Sequence, residues 1–251
     1  MRSLWRAAAA ALIAIAIEQD AAAAEIRMLA VPGMKAAFGE LVPSFERSAG
    51  HKVVIRYEIF AKQKAEVEKG EFDVAVFARS VIDELGKQGK IVPGSMSDLA
   101  RTSIGVAVRK GAPKPDISSE DAFKRTLLAA KSITYTKESE TGVHVTQFLE
   151  RLGLAEAIKA KLKLQPGGGM TTPAVANGEA ELAIVLVSDI LATPGVDFVG
   201  PLPASLQNFV TQTAAIGVAA EQTAAAAALI RHLSNPANAT VYKSKGLEVP
   251  R

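Results

Sequence analysis

The chain has 251 residues, 49% hydrophobic and 22% charged, so it can build a core and its composition argues against disorder. It contains no cysteine, which excludes disulfides, zinc–thiolate and iron–sulfur sites and a cysteine nucleophile. Only 5% of the residues are aromatic and the formal net charge is +3, so the chain lacks the stacking surfaces and dense basic stripe that nucleic-acid binding needs. We expect no nucleic-acid partner and no cofactor.

The amino terminus is typical of a secretory signal peptide. Two arginines precede an apolar run over residues 7–17, and this run is too short to span a membrane. Ala22-Ala23-Ala24 then provides an A-x-A cleavage site. We predict a signal peptide over residues 1–24, although an alanine-rich core helix is the alternative for this segment. Because no cysteine follows the cleavage site, we expect a mature protein in the periplasm without a lipid anchor.

Strands and helices alternate through the first part of the mature chain, which predicts βαβ units and a parallel sheet. The strands are predicted over 25–31, 51–60 and 72–78 and the helices over 34–48, 61–70 and 81–91. Ligands of such sheets bind beyond the carboxyl ends of the strands. We therefore expect a ligand near the loops Val31–Met34, Ile59–Lys62 and Ala78–Ser80.

The alternation starts again after a polar segment over 112–121. Strands are predicted over 103–111, 132–137, 181–189 and 208–220, helices over 143–152, 171–178 and 225–233, and an extended stretch over 197–203. We interpret the pattern as two α/β lobes, the first formed by residues 25–104 and 213–251 and the second by 105–212. Two crossing segments, near 103–107 and 209–215, make a hinge, and the cleft between hinged lobes can enclose a solute.

Four segments carry a resemblance to a known family. These are 26–58, GEFDVAVFA over 70–78, VRKGAPKPDI over 108–117 and GEAELAIVLVSDI over 178–190. Their order and spacing resemble the molybdate-binding-protein-like group of periplasmic receptors, over nearly all of residues 25–251. The resemblance implies the type II periplasmic binding fold, with two Rossmann-like lobes and a hinge of two crossover segments. It also implies a monomeric receptor for a small anionic solute that works with the membrane permease of an ABC importer.

The resemblance further implies a pocket that holds a tetrahedral oxyanion through hydroxyl and backbone N–H donors. The two family serines fall on Gly33, which follows Pro32, and near Phe60-Ala61, and the family tyrosine falls near Leu186. All three side-chain donors are missing at these positions. The resemblance therefore supports the fold and the transport role and puts the usual ligand in doubt.

Two backbone segments are the remaining donors that the resemblance implies. They fall near Thr141-Gly142 and on Gly167-Gly168-Gly169, which precedes a predicted helix. A glycine-rich loop at a helix amino terminus can cradle an anion, and a flexible turn after Pro166 is the alternative.

Several side chains are further candidates for the site. Lys62 can supply a cation, or it is a solvated lysine at a helix start. Arg79 can bind a carboxylate with two hydrogen bonds, or it lies on the surface. Met34, Phe60 and Met170 form an apolar wall to the site, or they pack in the core.

These residues favour a receptor for an organic anion with an apolar body. One alternative is a molybdate or tungstate receptor that relies on backbone donors. A periplasmic hydrolase is less favoured, because the three histidines have no metal-ligand spacing and no nucleophile-elbow motif occurs. A regulatory module on the same fold would need a DNA-binding helix-turn-helix before residue 25, where the signal peptide is predicted.

Overall fold

The computed structural model of the chain describes residues 23–58, 66–67 and 69–250. Nearly all of the predicted signal peptide and most of the predicted helix over 61–70 lie outside these residues, so both stay predictions. No helix in the described part is long and apolar enough to cross a membrane.

The strands are β1 Glu25–Ala30, β2 Lys52–Tyr57, β3 Val74–Ala78, β4 Ser97–Arg109, β5 Ile133–Thr134, β6 Leu182–Leu186, β7 Val196–Pro201 and β8 Phe209–Ile216. The α-helices are α1 Lys35–Ala49, α2 Arg79–Lys87, α3 Glu120–Ala129, α4 Glu140–Arg151, α5 Ala155–Ile158, α6 Gly168–Ala176, α7 Val187–Ala192, α8 Thr223–Leu233 and α9 Ala239–Ser244.

Strand β4 belongs to two sheets and changes partners in its middle. Its first half, Ser97–Ser103, pairs antiparallel with β8, which also pairs with β3. Strand β1 lies between β2 and β3 and is parallel to both. The second half of β4, from Ile104, pairs antiparallel with β6 and β7, and β6 is parallel to β5. The predicted parallel sheets are therefore mixed sheets, because the crossing strands β4 and β8 enter them antiparallel.

The side chain of Gln207 supplies hydrogen bonds at the residue where β4 changes partners. Its Oε1 accepts from the Ile104 N–H at 2.9 Å, and its Nε2 donates to the Ile104 carbonyl oxygen at 3.0 Å. Ile104 is fully buried, and a buried backbone N–H without an acceptor is costly. Gln207 therefore satisfies the backbone at the point where one ladder ends and the next begins.

Separate apolar cores lie on the two sides of this point. The clusters of lobe I contain buried residues from 26–100 and 214–247, packed around α1, α2 and α8. The clusters of lobe II contain buried residues from 104–206. The predicted lobe limits at 104/105 and 212/213 lie close to these divisions, and the limits themselves stay predictions.

A buried carboxylate ties the strands of lobe I together. Asp73 accepts hydrogen bonds from the N–H groups of Arg27 and Glu221, at 2.8 and 2.9 Å, and from the Arg27 guanidinium. Burial by itself raises the pKa of Asp73, but the hydrogen bonds from Arg27 and Glu221 lower it below its usual value. The aspartate of the GEFD segment therefore joins β1 to the chain that follows β8.

Several element boundaries differ from the sequence predictions. The helix predicted over 81–91 runs over Arg79–Lys87, because Gly89 adopts φ +69° and the Lys90 N–H turns back to the Leu85 carbonyl oxygen. Helix α3 lies partly within the segment read as polar, where Ser119 caps its amino terminus. Strand β4 starts six residues before its predicted start, since its first half is only half-buried and lacks an apolar pattern.

We predict that Gln207→Ala destabilises the protein by about 1–3 kcal/mol, because it leaves the buried Ile104 N–H without an acceptor. Urea denaturation measures the change. The matched control is Gln147→Ala on the exposed face of α4, for which we expect a change within about 0.5 kcal/mol. Equal effects of the two substitutions would contradict the role of Gln207.

Candidate functional site

A cavity of about 100 Å³ lies where the two lobes meet. On the lobe I side it is lined by the turn after β1 and by the end of β3, and on the lobe II side by the starts of α4, α6 and α7. Strand β8 contributes the remaining wall. The lining residues are Val31, Pro32, Gly33, Ala78, Val81, Ser139, Glu140, Thr141, Gly169, Leu186, Asp189, Val210 and Gln212.

The first turn of helix α4 presents backbone donors to the cavity. Ser139 caps the helix, and its Oγ accepts from the Gly142 N–H at 3.0 Å. The N–H groups of Glu140 and Thr141 precede it in the first turn and have no intrahelical acceptor. Thr141 and Gly142 were predicted to lie in a loop before a helix over 143–152. The helix begins three residues earlier, because a capping serine allows a glycine in the first turn.

Helix α6 brings a second amino terminus to the same cavity. Gly167 is its N-cap residue, and Gly168 and Gly169 form the start of the helix instead of the predicted loop. Gly169 lines the cavity. The hydroxyl oxygens of Thr136 and Thr171 lie 3.0 Å apart and connect α6 to the segment before α4. The two helix starts therefore form one surface of unpaired N–H groups and positive dipole ends.

Gly142 is required by the close packing between α4 and the segment before it. A Cβ at this position would lie far inside the contact distance of the Thr136 carbonyl oxygen and 2.7 Å from that of Lys137. Both obstacles are backbone atoms, which cannot rotate away. The glycine therefore sets how closely α4 approaches the cavity.

The end of strand β6 at Leu186 places Asp189 in the lining of the cavity. The strand was predicted to continue to residue 189, but it stops at Leu186 and α7 begins at Val187. The Asp189 carboxylate has no hydrogen-bond partner among the described residues and is half-buried. Burial raises the pKa of Asp189 to about 6.

Gly33 and Asp189 face each other across the two lobes. A Cβ on residue 33 would lie 2.9 Å from Asp189 Oδ1 and 3.3 Å from Ser188 Oγ. A serine at this position, as the resemblance would place there, requires the carboxylate to move. Gly33 therefore leaves open the space that the Asp189 carboxylate occupies.

Two more polar side chains that the sequence did not single out line the cavity. Gln212 is buried, and its Oε1 has no hydrogen-bond partner in the described part of the chain. Glu140 accepts a hydrogen bond from Ser80 Oγ at 3.0 Å, which joins α4 of lobe II to α2 of lobe I. The lining residues that the structure describes include no lysine, arginine or histidine.

Of the predicted site residues, Pro32, Gly33, Thr141, Gly169 and Leu186 line the cavity. Gly142, Gly167 and Gly168 belong to the helix starts that shape it. Phe60, Ala61 and Lys62 lie outside the described residues and stay predictions. Ser139, Glu140, Asp189 and Gln212 were missed, and only Asp189 had a signal, as part of the Ser-Asp that ends GEAELAIVLVSDI.

Three predicted site residues are placed elsewhere. Met34 is fully buried in the core of lobe I, where α1 packs on the sheet, so its assignment to the ligand wall is wrong. Arg79 donates to Asp83 Oδ1 at 3.0 Å and to Asp98 Oδ1 at 2.9 Å, and its surface interpretation holds. Met170 is 46% exposed and is not among the lining residues of the cavity. The described residues also contain no cluster of side chains that could hold a metal ion.

We predict that Gly142→Ala destabilises the protein by about 3 kcal/mol or more, because the added Cβ collides with the Thr136 backbone. Gly39→Ala is the control, since a Cβ there meets open space and a helical alanine stabilises by about 0.5–1 kcal/mol. Thermal denaturation compares the two variants. A Gly142→Ala protein as stable as the wild type would show that α4 can retreat from the cavity at little cost.

Comparison with known proteins identifies the family. Residues 26–248 match the family described as bacterial extracellular solute-binding protein. A protein from a Pseudomonas species named aconitate isomerase is 32% identical, with 89% of this chain and 87% of that protein covered. The molybdate-binding protein of Azotobacter vinelandii is 29% identical over 90% of each chain. A solved structure of an Azotobacter vinelandii periplasmic molybdate-binding protein superposes with a TM-score of 0.76 at 21% identity, covering 90% of this chain and all of that one. The predicted fold class is confirmed, and the chain belongs to the bacterial extracellular solute-binding protein family.

Proposed function

We propose that this solute-binding protein is the receptor of an ABC importer and captures a small organic anion in the cavity between its lobes. The single observation that carries the ligand class is the Asp189 carboxyl beside Gly33, on the side of the pocket where the family resemblance places a serine donor. The helix starts of α4 and α6 supply backbone donors within the same cavity. This arrangement suits a ligand that has an anionic group and an apolar body.

The remaining walls support a ligand with an apolar body. Val31 and Val81 contribute aliphatic surface from lobe I, Leu186 from lobe II, and Val210 from β8. Ligand sites of this kind are mostly apolar and contain a few placed polar groups that fix the orientation. A small carboxylate with a hydrocarbon frame makes use of both parts of the lining.

The same lining disfavours a tetrahedral oxyanion such as molybdate. The hydroxyl donors expected at positions 33 and 186 are absent, and each hydrogen bond lost to a charged ligand costs about 1.5–3 kcal/mol. The relative named aconitate isomerase also points to an organic anion, because its name refers to a small polycarboxylate.

The cellular setting belongs to the same proposal. The family is described as extracellular, and the predicted signal peptide with no cysteine after it supports a soluble periplasmic protein. A monomeric receptor delivers its solute to a membrane permease when the lobes have closed around it. The hydrogen bond between Ser80 and Glu140 joins the two lobes, so it depends on how far they are closed.

We predict that the mature protein binds cis- or trans-aconitate, or the smaller dicarboxylate succinate, more tightly than molybdate, tungstate or sulfate. Titration calorimetry on ligand-free protein at pH 6 measures the affinities. Sub-micromolar molybdate binding would show that backbone donors replace the missing hydroxyls, and the organic-anion proposal would be wrong.

A pair of variants at Gly169 tests the backbone donors in the same experiment. Gly169→Pro removes an N–H from the first turn of α6, where proline is tolerated, while Gly169→Ala keeps the N–H and places its Cβ in open space. We expect the proline variant to weaken binding of the preferred anion by tenfold or more and the alanine variant to have a much smaller effect. Equal affinities would exclude this N–H from the site.

A second candidate function is an isomerase that acts on a small unsaturated carboxylate. The observation in its favour is Asp189, an unpaired carboxyl in the cavity whose pKa of about 6 suits proton transfer near neutral pH. The 32% identical relative is named for such an activity. The family description favours the receptor.

For a receptor without turnover, we expect less than one equivalent of trans-aconitate per protein molecule after prolonged incubation with cis-aconitate. Proton NMR of the mixture follows both isomers. Many turnovers in the wild type, lost in Asp189→Asn, would establish the isomerase instead. Conversion that persists in Asp189→Asn would point to a contaminating enzyme.

A further inference from the structure

We infer that the cavity binds its organic anion together with one proton, so that Asp189 is a neutral carboxylic acid in the complex and donates a hydrogen bond to a carboxylate of the ligand. This inference rests on the proposed function and specifies its ligand class, a carboxylate that shares a proton with the protein. It follows from the position of Asp189 and from the charges around it.

The carboxyl of Asp189 belongs to the lining of the cavity. Gly33 lies against one side of it, with a Cβ position 2.9 Å from Oδ1, and no described residue donates a hydrogen bond to either oxygen. An unpaired polar group in a partly desolvated site is unfavourable unless a ligand supplies its partner. The buried amide of Gln212 lines the same space, and its Oε1 also lacks a partner.

The charges of the cavity create a conflict that a proton resolves. Among the described lining residues, the ionisable groups are the carboxyls of Asp189 and Glu140, with no cationic side chain. An incoming carboxylate would therefore place a second negative charge beside Asp189 in a partly desolvated space. Two carboxylates in direct contact favour a state in which they share one proton. The shared hydrogen bond is then of the short, charge-assisted kind.

Among the residues that the structure describes, the charged groups on the elements around α7 supply no countercharge to Asp189. Each of these groups has its own partner or lies against another part of the chain. They are Arg101 with Glu248, Asp98 with Arg79 and Thr213, Asp197 with the Gly111 N–H, Arg109 beside Gly178 and Lys35 over the ring of Tyr57. Glu140 accepts from Ser80 on the opposite lobe. Burial is the sole cause of the raised pKa of Asp189.

The proton comes from solvent when binding occurs at neutral pH. The pKa of about 6 means that Asp189 in the ligand-free protein is mostly ionised at pH 7.5. A bound carboxylate raises this pKa further, so the complex holds a proton that the free protein lacks. The affinity for the ligand is therefore greatest below the pKa of Asp189 in the ligand-free protein, and it falls as the pH rises above that value.

The test is titration calorimetry of the mature protein with cis-aconitate and trans-aconitate at pH 6.5, 7.5 and 8.5. Measurements at pH 7.5 in HEPES and in Tris, which differ in ionisation enthalpy, give the number of protons taken up. We expect about one proton at pH 7.5 and a Kd that rises by about tenfold per pH unit.

Two variants identify the group that takes up the proton. Asp189→Asn keeps a neutral donor of similar shape. We therefore expect no proton uptake by this variant and a Kd that changes by less than about threefold over the same pH range. Its pH dependence also measures the contribution from protonation of the ligand itself. Glu140→Gln removes the other carboxyl and, whatever its affinity, is expected to keep the proton uptake.

Each outcome separates this inference from the proposed function. Tight binding of aconitate with no proton uptake, or uptake lost in Glu140→Gln, overturns the inference and leaves the receptor standing. If Asp189→Asn folds but does not bind, uptake in both the wild type and Glu140→Gln supports Asp189 as its source. Failure of both isomers and of succinate to bind at any pH defeats the proposed organic-anion function itself.

Discussion

The structure depends on one strand that belongs to two sheets. Strand β4 pairs with β8 up to Ser103 and with β6 and β7 from Ile104, so the same backbone runs through both lobes. The change of partners would leave the buried Ile104 N–H without an acceptor, and Gln207 Oε1 supplies one. Gln207 Nε2 also donates to the Ile104 carbonyl oxygen, which accepts from the Leu202 N–H as well. Since Gln207 lies on the returning segment just before β8, the two crossings are bonded to each other. The cavity opens beside this junction, with Val210 and Gln212 of β8 in its lining.

The proposed ligand requires no change in the frame of the pocket. Helices α4 and α6 both begin at the cavity, where Thr141 and Gly169 line it. On the opposite wall, Gly33 leaves room for the carboxyl of Asp189. A carboxyl donates a hydrogen bond only when it is protonated. In the proposed complex, the protonation of Asp189 therefore matters alongside the shape of the cavity.

Much of the frame was predictable from the sequence because local patterns dictate it. Helix α1 buries Phe38, Leu41, Val42 and Phe45, whose spacing is helical, and it stops at Gly50, which adopts φ +70°. The nearly continuous apolar runs of β3 and β6 predicted buried strands, and both are buried. The pairing of β4 was not predictable from the sequence. The two halves of this strand belong to different sheets and therefore have different burial patterns. The half-buried first part, Ser97–Ser103, shows no apolar periodicity that would indicate a strand.

The sequence by itself determined the two-lobed α/β architecture, the family, and the absence of hydroxyls at Gly33 and Leu186. It also indicated the glycine-rich segment 167–169 as a backbone donor. Only the tertiary structure decided that Arg79 pairs with Asp83 and Asp98, and that Met34 packs in the core. The place of Asp189 in the cavity was likewise decided there. The physical reason is that burial and partners depend on residues far apart in the chain: Asp189 acquires its raised pKa from a cavity whose other wall is formed 156 positions earlier, at Gly33.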